Sequence, residues 1–217
     1  MQIIVGIRAL LVVTVLTGLL FPLVMTGIAQ VTFHDKANGS LVTRDGHVVG
    51  SNLIGQSFSG KQYFHSRPSA AAAGASGSMI DEVGPDGQPT GKSSPADPKD
   101  LSLTPSGASN LGPSNDDLIS AVADRVAAYR TENGLDPTTP VPVDAVTTSA
   151  SGLDPQISVA NARLQAPRVA EERGLALDDV LALVAAHTTG ATLGILGDKG
   201  VNVLALNLAL DDRQAQP

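Results

Sequence analysis

The sequence predicts one N-terminal transmembrane helix followed by a single mixed α/β (α+β) soluble domain that carries a flexible insertion. Three observations predict it. An uncharged apolar run lies between Arg8 and His34, strand-like and helix-like periodicities alternate after it, and residues 70–106 turn to Ala, Gly, Ser, Pro and Asp. The plan is an anchor over 1–30, a folded domain over 31–69 and 107–217, and an insertion over 70–106.

The anchor is read from length. The 21 residues from Ala9 to Ala29 are almost wholly apolar. At about 1.5 Å per residue they span roughly 31 Å, the thickness of a bilayer's hydrocarbon core. A backbone in lipid must satisfy its own hydrogen bonds, so the run is a helix, with Pro22 a candidate kink. The competing reading is a cleaved signal peptide, since Gly27-Ile28-Ala29 before Gln30 has the small-x-small form of a cleavage site. A signal's apolar core is only about 7–15 residues, and the excess length favours retention. The short N-terminal flank carries Arg8 and the α-amino group, while the long region behind translocates with little regard to charge. The N-terminus is therefore expected in the cytoplasm, with the bulk of the chain extracytoplasmic.

Composition narrows the function. The chain has no cysteine, which excludes a disulfide framework and a thiolate metal site. Its net charge is −7, which argues against a nucleic-acid surface. With no Trp and 3% aromatic residues, the core must come from Val, Leu, Ile and Ala.

In order along the domain, Leu41–Val49 reads as a hairpin about Asp45-Gly46, with β-branched residues on either side. Three of the six aromatics fall between Phe58 and Phe64, which predicts that this stretch packs against something. The composition of 70–106 cannot bury enough apolar area to offset its ordering entropy. Order returns near Asn110. Ser114 is a predicted cap for a helix whose apolar positions are Leu118, Val122, Val126 and Tyr129, ending at Gly134. Val141–Val146 reads as a short strand. Ser158 caps a second helix that runs to Arg173, with Pro167 as a kink and Gly174 as its stop. A third helix runs from about Asp178 to Thr188. Val201–Leu210, apolar on both faces, reads as a buried strand.

Catalytic chemistry is hard to assemble from these residues. Gly87–Ser93 imitates a phosphate-binding loop, but its glycines are one residue too close and the strand and helix that should flank it are missing. His34, His47, His65 and His187 show no metal-ligand spacing, and His187 suits a helix C-terminus. The acidic pairs Asp116-Asp117 and Asp178-Asp179 sit where helix starts favour carboxylates. No catalytic residue and no metal ligand is expected. Polar density is high in two loops, Asn110–Asn115 and Thr147–Pro155, which could meet a ligand, although most such loops satisfy their own backbone. In the anchor, Thr14, Gly18, Pro22 and Thr26 recur every fourth residue, a small-residue face suited to a partner helix in lipid.

Several ordered blocks carry a resemblance: Asn38–Leu41, Gly50–Gln56, Tyr63–Ser69, Ser106–Gly112, Pro142–Thr147, Ser149–Pro155, Ala166–Ala170, Val201–Val203 and Leu206–Asp211. Together they resemble the C subunit of the Kdp-type potassium-transporting P-type ATPase, the KdpC family. The resemblance spans nearly the whole chain, and its departure is the extra length of about Ala71 to Thr104. It implies an accessory subunit of the cell membrane that assembles with a channel-like potassium-translocating subunit and an ATP-hydrolysing P-type subunit. The chain itself lacks the Asp-Lys-Thr-Gly-Thr phosphorylation motif of such pumps. It further implies a catalytic chaperone raising the pump's affinity for ATP. Ser149, Ser151, Gly152, Asp154 and Gln156 are then candidate nucleotide contacts, Gln156 lying outside the matched block. Arg67 and Asn110 join the anchor's stripe as candidate partner contacts. An extracytoplasmic domain cannot touch cytoplasmic ATP, so a structural and potassium-entry role is the expectation. The alternative is a membrane-tethered binding module or enzyme unrelated to transport.

Overall fold

The structure, a computed structural model, describes residues 2–44, 46–70, 79–83, 89–95, 106–191 and 194–214. The chain divides into two compact units, Met1–Leu41 and Val42–Pro217.

The first unit is one long apolar rod, Gln2–Thr32, that is long and apolar enough to cross a membrane. It comprises α1 (Gln2–Val15), a π-turn over Leu16–Leu20, and α2 (Phe21–Thr32). Pro22 explains the π-turn: proline lacks an N–H, and its ring clashes with the carbonyl one turn earlier, that of Gly18. The helix widens there instead of breaking, and the Phe21 N–H reaches back five residues to the Leu16 carbonyl. The widening changes the stripe. In a plain α-helix each four-residue step drifts by about 40°, so three steps would carry Thr26 roughly 120° away from Thr14. One extra residue in a π-turn takes back about 100°, leaving the four small residues nearly in line. The hydroxyls of Thr17 and Thr32 donate to carbonyls four residues back, Val13 and Ile28, at 2.8 and 2.7 Å. Beyond α2 comes the short α3 (His34–Ala37), after which Asn38 and Gln30 pair amide to amide.

In the second unit β1 (Leu41–Arg44) and β2 (His47–Ser51) form the expected two-stranded pair, with Gly46 at φ +79° between them; Asp45 lies outside the described residues. Within 70–106 the described residues include β3 (Met79–Val83) and β4 (Pro89–Pro95), paired antiparallel. Most of the predicted insertion lies outside the described residues. Gly91-Lys92-Ser93 falls in β4, where a phosphate-binding loop would open a helix.

The remaining elements build the core. They are α4 (Asp116–Glu132), α5 (Val143–Val146), β5 (Gln156–Ser158), α6 (Val159–Arg173), α7 (Leu177–Ala186), β6 (Thr188–Thr189), β7 (Gly200–Asn202) and α8 (Val203–Gln214). A small antiparallel sheet, β5-β7-β6, pairs Ile157 with Val201 and Thr188 with Val201. Around it α6, α7 and α8 bury Ala162, Ala166, Val169, Val180, Val184, Leu206 and Leu210, with Phe64 fully enclosed among them. Ser158 caps α6 as expected, accepting from the Asn161 N–H. Gly174 ends it at φ +64°: its N–H reaches Glu171, and that of Leu175 reaches Ala170, a left-handed stop that glycine adopts without strain. Pro167 lies inside α6, which continues through it.

Three expectations are corrected. Val201–Leu210 is a strand only to Asn202; α8 follows. The alternating letters hid a helical set, Val203, Leu206, Asn207 and Leu210, all nearly inaccessible, and Asn202 starts the helix by accepting from the Ala205 N–H at 2.9 Å. The predicted strand over Val141–Val146 is instead the turn of helix α5, entered from Pro142. Its payoff is Asp144, whose carboxylate accepts from the Ser158 N–H and hydroxyl and from the Asn161 amide at 2.8–3.0 Å, at the positive end of α6. The cap of α4 is Asn115, not Ser114, because the Asn115 side chain reaches the N–H groups of both Asp117 and Leu118.

Candidate functional site

The matched polar loop, Thr147–Pro155, folds into a knot held from outside by short segments. Gly55 donates its N–H to the Leu153 carbonyl at 2.8 Å, and a Cβ at position 55 would sit 2.3 Å from the Asp154 carbonyl oxygen, so only glycine fits. The Ser149 N–H donates to Pro68, the Ser69 hydroxyl donates to Gly152, and Ser106 and Gly107 both donate to the Ser151 carbonyl. Arg67 reaches the Asp154 carboxylate at 2.9 Å and the Thr148 carbonyl at 3.4 Å.

The structure thus brings Arg67, Ser149, Ser151, Gly152 and Asp154 together. It also engages their polar atoms. The Ser149 hydroxyl accepts from the Gly152 N–H, the Ser151 hydroxyl from the Leu153 N–H, and Asp154 from the Gln156 N–H. Gln156 points elsewhere, its amide donating to the Thr189 hydroxyl at 3.1 Å. One donor is left over: the Nε of Arg67 is buried without an acceptor among the described residues. Asn110 is exposed at φ +53°, its side chain reaching only the nearby Ala108 carbonyl. Thr14, Gly18, Pro22 and Thr26 belong to the other unit, all exposed.

A second polar constellation escaped sequence reasoning. The irregular stretch Lys61–His65 pairs with no strand among the described residues, yet each of its five carbonyls is taken by a side chain. Arg168 donates to the carbonyls of Lys61 and Tyr63, and Arg173 to that of Gln62. Asn207, wholly buried, both accepts from the Phe64 N–H (2.8 Å) and donates to the Phe64 carbonyl (2.9 Å). Gln165 does the same for His65, at 2.7 and 3.1 Å. Two amide side chains therefore imitate a neighbouring strand and thread Phe64 into the core, while Arg173 lies 4.8 Å over the Tyr63 ring.

Burial lowers the Arg168 guanidinium's affinity for its proton, yet arginine stays charged, and it also donates to Gln165 and Asn133. Burial pushes the Tyr129 phenol up, keeping it neutral so that it donates to Asn161 at 2.8 Å. His65 faces acceptors with both ring nitrogens, Glu132 at 3.1 Å and the Gly60 carbonyl at 3.1 Å. The hydrogen bond from His65 holds the Glu132 carboxyl below the usual carboxylate range. The signal for this constellation was in the sequence, because Gln165, Arg168, Arg173 and Asn207 are polar residues on otherwise buried helix faces.

A rod long and apolar enough to span a membrane, joined in one chain to a small mixed helix-and-sheet unit, fits the class of membrane-associated proteins. Residues 3–212 match the family described as KdpC: K+-transporting ATPase, c chain. The "Potassium-transporting ATPase KdpC subunit" of Mycobacterium tuberculosis is 49% identical over 210 residues, covering 97% of each chain. Those of Methylobacterium nodulans and Koribacter versatilis are 50% identical over 199 residues (92% of this chain and 90% of the relative) and 46% identical over 207 (95% and 92%). The chain belongs to the KdpC family and is an accessory subunit of potassium uptake.

Proposed function

We propose that the chain stabilises a potassium-uptake complex as a non-catalytic subunit. Its helix docks against a transmembrane helix of a channel-like potassium-translocating partner or an ATP-hydrolysing P-type partner, and its folded unit stands on the extracytoplasmic side. The observation that carries the reading is the Gln2–Thr32 rod, whose side chains are exposed on every face through Ile28. Lipid can cover such a surface, but the π-turn that lines up Thr14, Gly18, Pro22 and Thr26 favours a helix seated on that face. Gly18→Leu tests it cleanly. A Cβ at 18 meets, among the described residues, only the Thr14 methyl, at 3.9 Å, so a loss points to a partner. Purified from membranes in mild detergent, the wild type is expected to bring both partner subunits and Gly18→Leu markedly less; equal recovery refutes docking on that face. Topology is checked by single-cysteine labelling of a chain that has no cysteine. A membrane-impermeant maleimide should label exposed Glu171→Cys in intact cells.

A second reading, direct ATP contact at Ser149, Ser151, Gly152, Asp154 and Gln156 as part of a chaperone effect on ATP affinity, is favoured by one observation, the Nε of Arg67 beside the loop, which has no acceptor among the described residues. Against it stand the internal bonds that already occupy those residues. An ATP-dependent shift of these residues' amide resonances at millimolar nucleotide would establish the contact; unchanged resonances in the folded chain would discard it.

A further inference from the structure

The second unit holds eight arginines, and seven of them are committed internally. Arg44 pairs with Asp212, Arg67 with Asp154, Arg173 with Asp211 and Arg213 with Asp179. Arg125, Arg130 and Arg168 donate to backbone carbonyls. The eighth, Arg163, is exposed and has no hydrogen bond or ion pair among the described residues. It stands at a cleft of about 580 Å³ between α6 and α7, floored by Val159, Leu181 and Val184. Lys199, exposed and equally unengaged among the described residues, lines the same cleft. The neighbouring acid Asp198 pairs with neither. Just before Lys199 the chain shows Ile195 and Leu196 to solvent, 82% and 59% exposed.

In a chain of net charge −7, two unpaired cations over an apolar floor are an uneven use of charge. One more observation argues for a ligand: Val159 and Leu181 in the floor are only half-buried, leaving apolar area at the cleft. An arginine fork, in turn, suits a carboxylate in two parallel hydrogen bonds. The volume takes a few residues rather than one ion.

We infer that this cleft docks an acidic segment of a partner subunit, an Asp or Glu bridging Arg163 and Lys199 while an adjacent apolar side chain fills the space over Val159, Leu181 and Val184. This rests on the reading of the chain as a subunit of a larger complex. Ile195 and Leu196 extend the apolar contact beyond the cleft mouth. An anionic lipid headgroup would satisfy the cations but would leave the apolar floor to solvent, which is why the peptide is preferred.

The test uses the full complex in mild detergent. Arg163→Glu/Lys199→Glu is expected to lower recovery of the partner subunits about tenfold against wild type, and Arg163→Lys to keep most of it. Both positions are exposed, so circular dichroism should show the folded unit intact. Independently, Ala185→p-benzoylphenylalanine, at the cleft's exposed edge, is irradiated in the assembled complex and the adduct mapped by mass spectrometry. An adduct with a partner-subunit peptide containing Asp or Glu supports the inference. An adduct with lipid alone, or no adduct, overturns it, as does unchanged recovery of the double variant. If the wild type recovers no partner at all, the subunit reading itself falls; if wild type recovers them and the charge reversal makes no difference, only the cleft is refuted.

Discussion

The two units handle unsatisfied surface in opposite ways. In Met1–Leu41 the large apolar side chains from Ile3 to Ile28 are at least 47% exposed, so this unit by itself does not bury them. In Val42–Pro217 the problem is polar. A strandless stretch, Lys61–His65, would leave its backbone carbonyls without partners, and the fold supplies four side chains to meet them. The first unit is unfinished without lipid or a partner helix, whereas the second meets most of its polar needs internally and, among its described arginines, leaves Arg163 without a partner. The contrast teaches where to look for assembly: on surfaces whose residues have not already been used by the fold.

Breaking the second unit's self-sufficiency should cost most at Asn207. Asn207→Leu keeps the branched shape, with somewhat larger volume, but removes both partners of the Phe64 backbone in a fully buried site. Each stranded group costs about 1–3 kcal/mol, so a loss of about 2–5 kcal/mol is expected in urea unfolding of the full chain in detergent. A loss under about 1 kcal/mol would mean that water or a shifted side chain replaces the amide. Asp144→Ala comes next. It removes the acceptor of three donors at the start of α6, for about 1.5–3 kcal/mol. Asp144→Asn should recover part of that, because one oxygen still accepts.

Much of this division was legible in the residues. The apolar N-terminal helix, the Gly46 turn, the Ser158 cap and the Gly174 stop follow from local rules, and the structure keeps each of them, although the helix runs Gln2–Thr32 and so extends beyond the predicted Ala9–Ala29 at both ends. What failed depended on distant partners. Val201–Leu210 satisfies a two-residue period and a helical one at once; burial of Asn207 against Phe64, 143 residues away, decides for the helix. Val141–Val146 turns helical so that Asp144 can reach Ser158, a constraint invisible until α6 is in place. The candidate loop was legible as polar and as a loop of a kind that mostly satisfies its own backbone, but not as held from outside, because Gly55, Pro68 and Ser106 come to it from other parts of the chain. Arg163 had no local signal at all. It stands out only after the other seven arginines have been assigned.

Gly174→Ala probes a smaller effect, the left-handed stop of α6. A Cβ there meets nothing within 4 Å, so the penalty is conformational alone. The expected cost is about 1 kcal/mol, read as a fall in the urea midpoint with an unchanged slope. A larger loss would show that the turn into Leu175 also positions the core.

The smallest effect expected is also the one that tells the two kinds of surface apart by pH. Glu132 is partly exposed, and the hydrogen bond from His65 holds its carboxyl below the ordinary range, with burial opposing. A carboxyl lowered in the folded state adds stability that is complete above its unfolded value and disappears as pH falls through the folded one. The stability difference between wild type and Glu132→Gln should therefore be steady near neutral pH and shrink toward zero on acidification below about pH 4. Solvent screening keeps it under about 1 kcal/mol. The rod carries no acidic residue between Gln2 and Thr32, so its helicity should stay level across the same range. If the Glu132→Gln difference instead persisted at low pH, the contact would act through packing rather than charge.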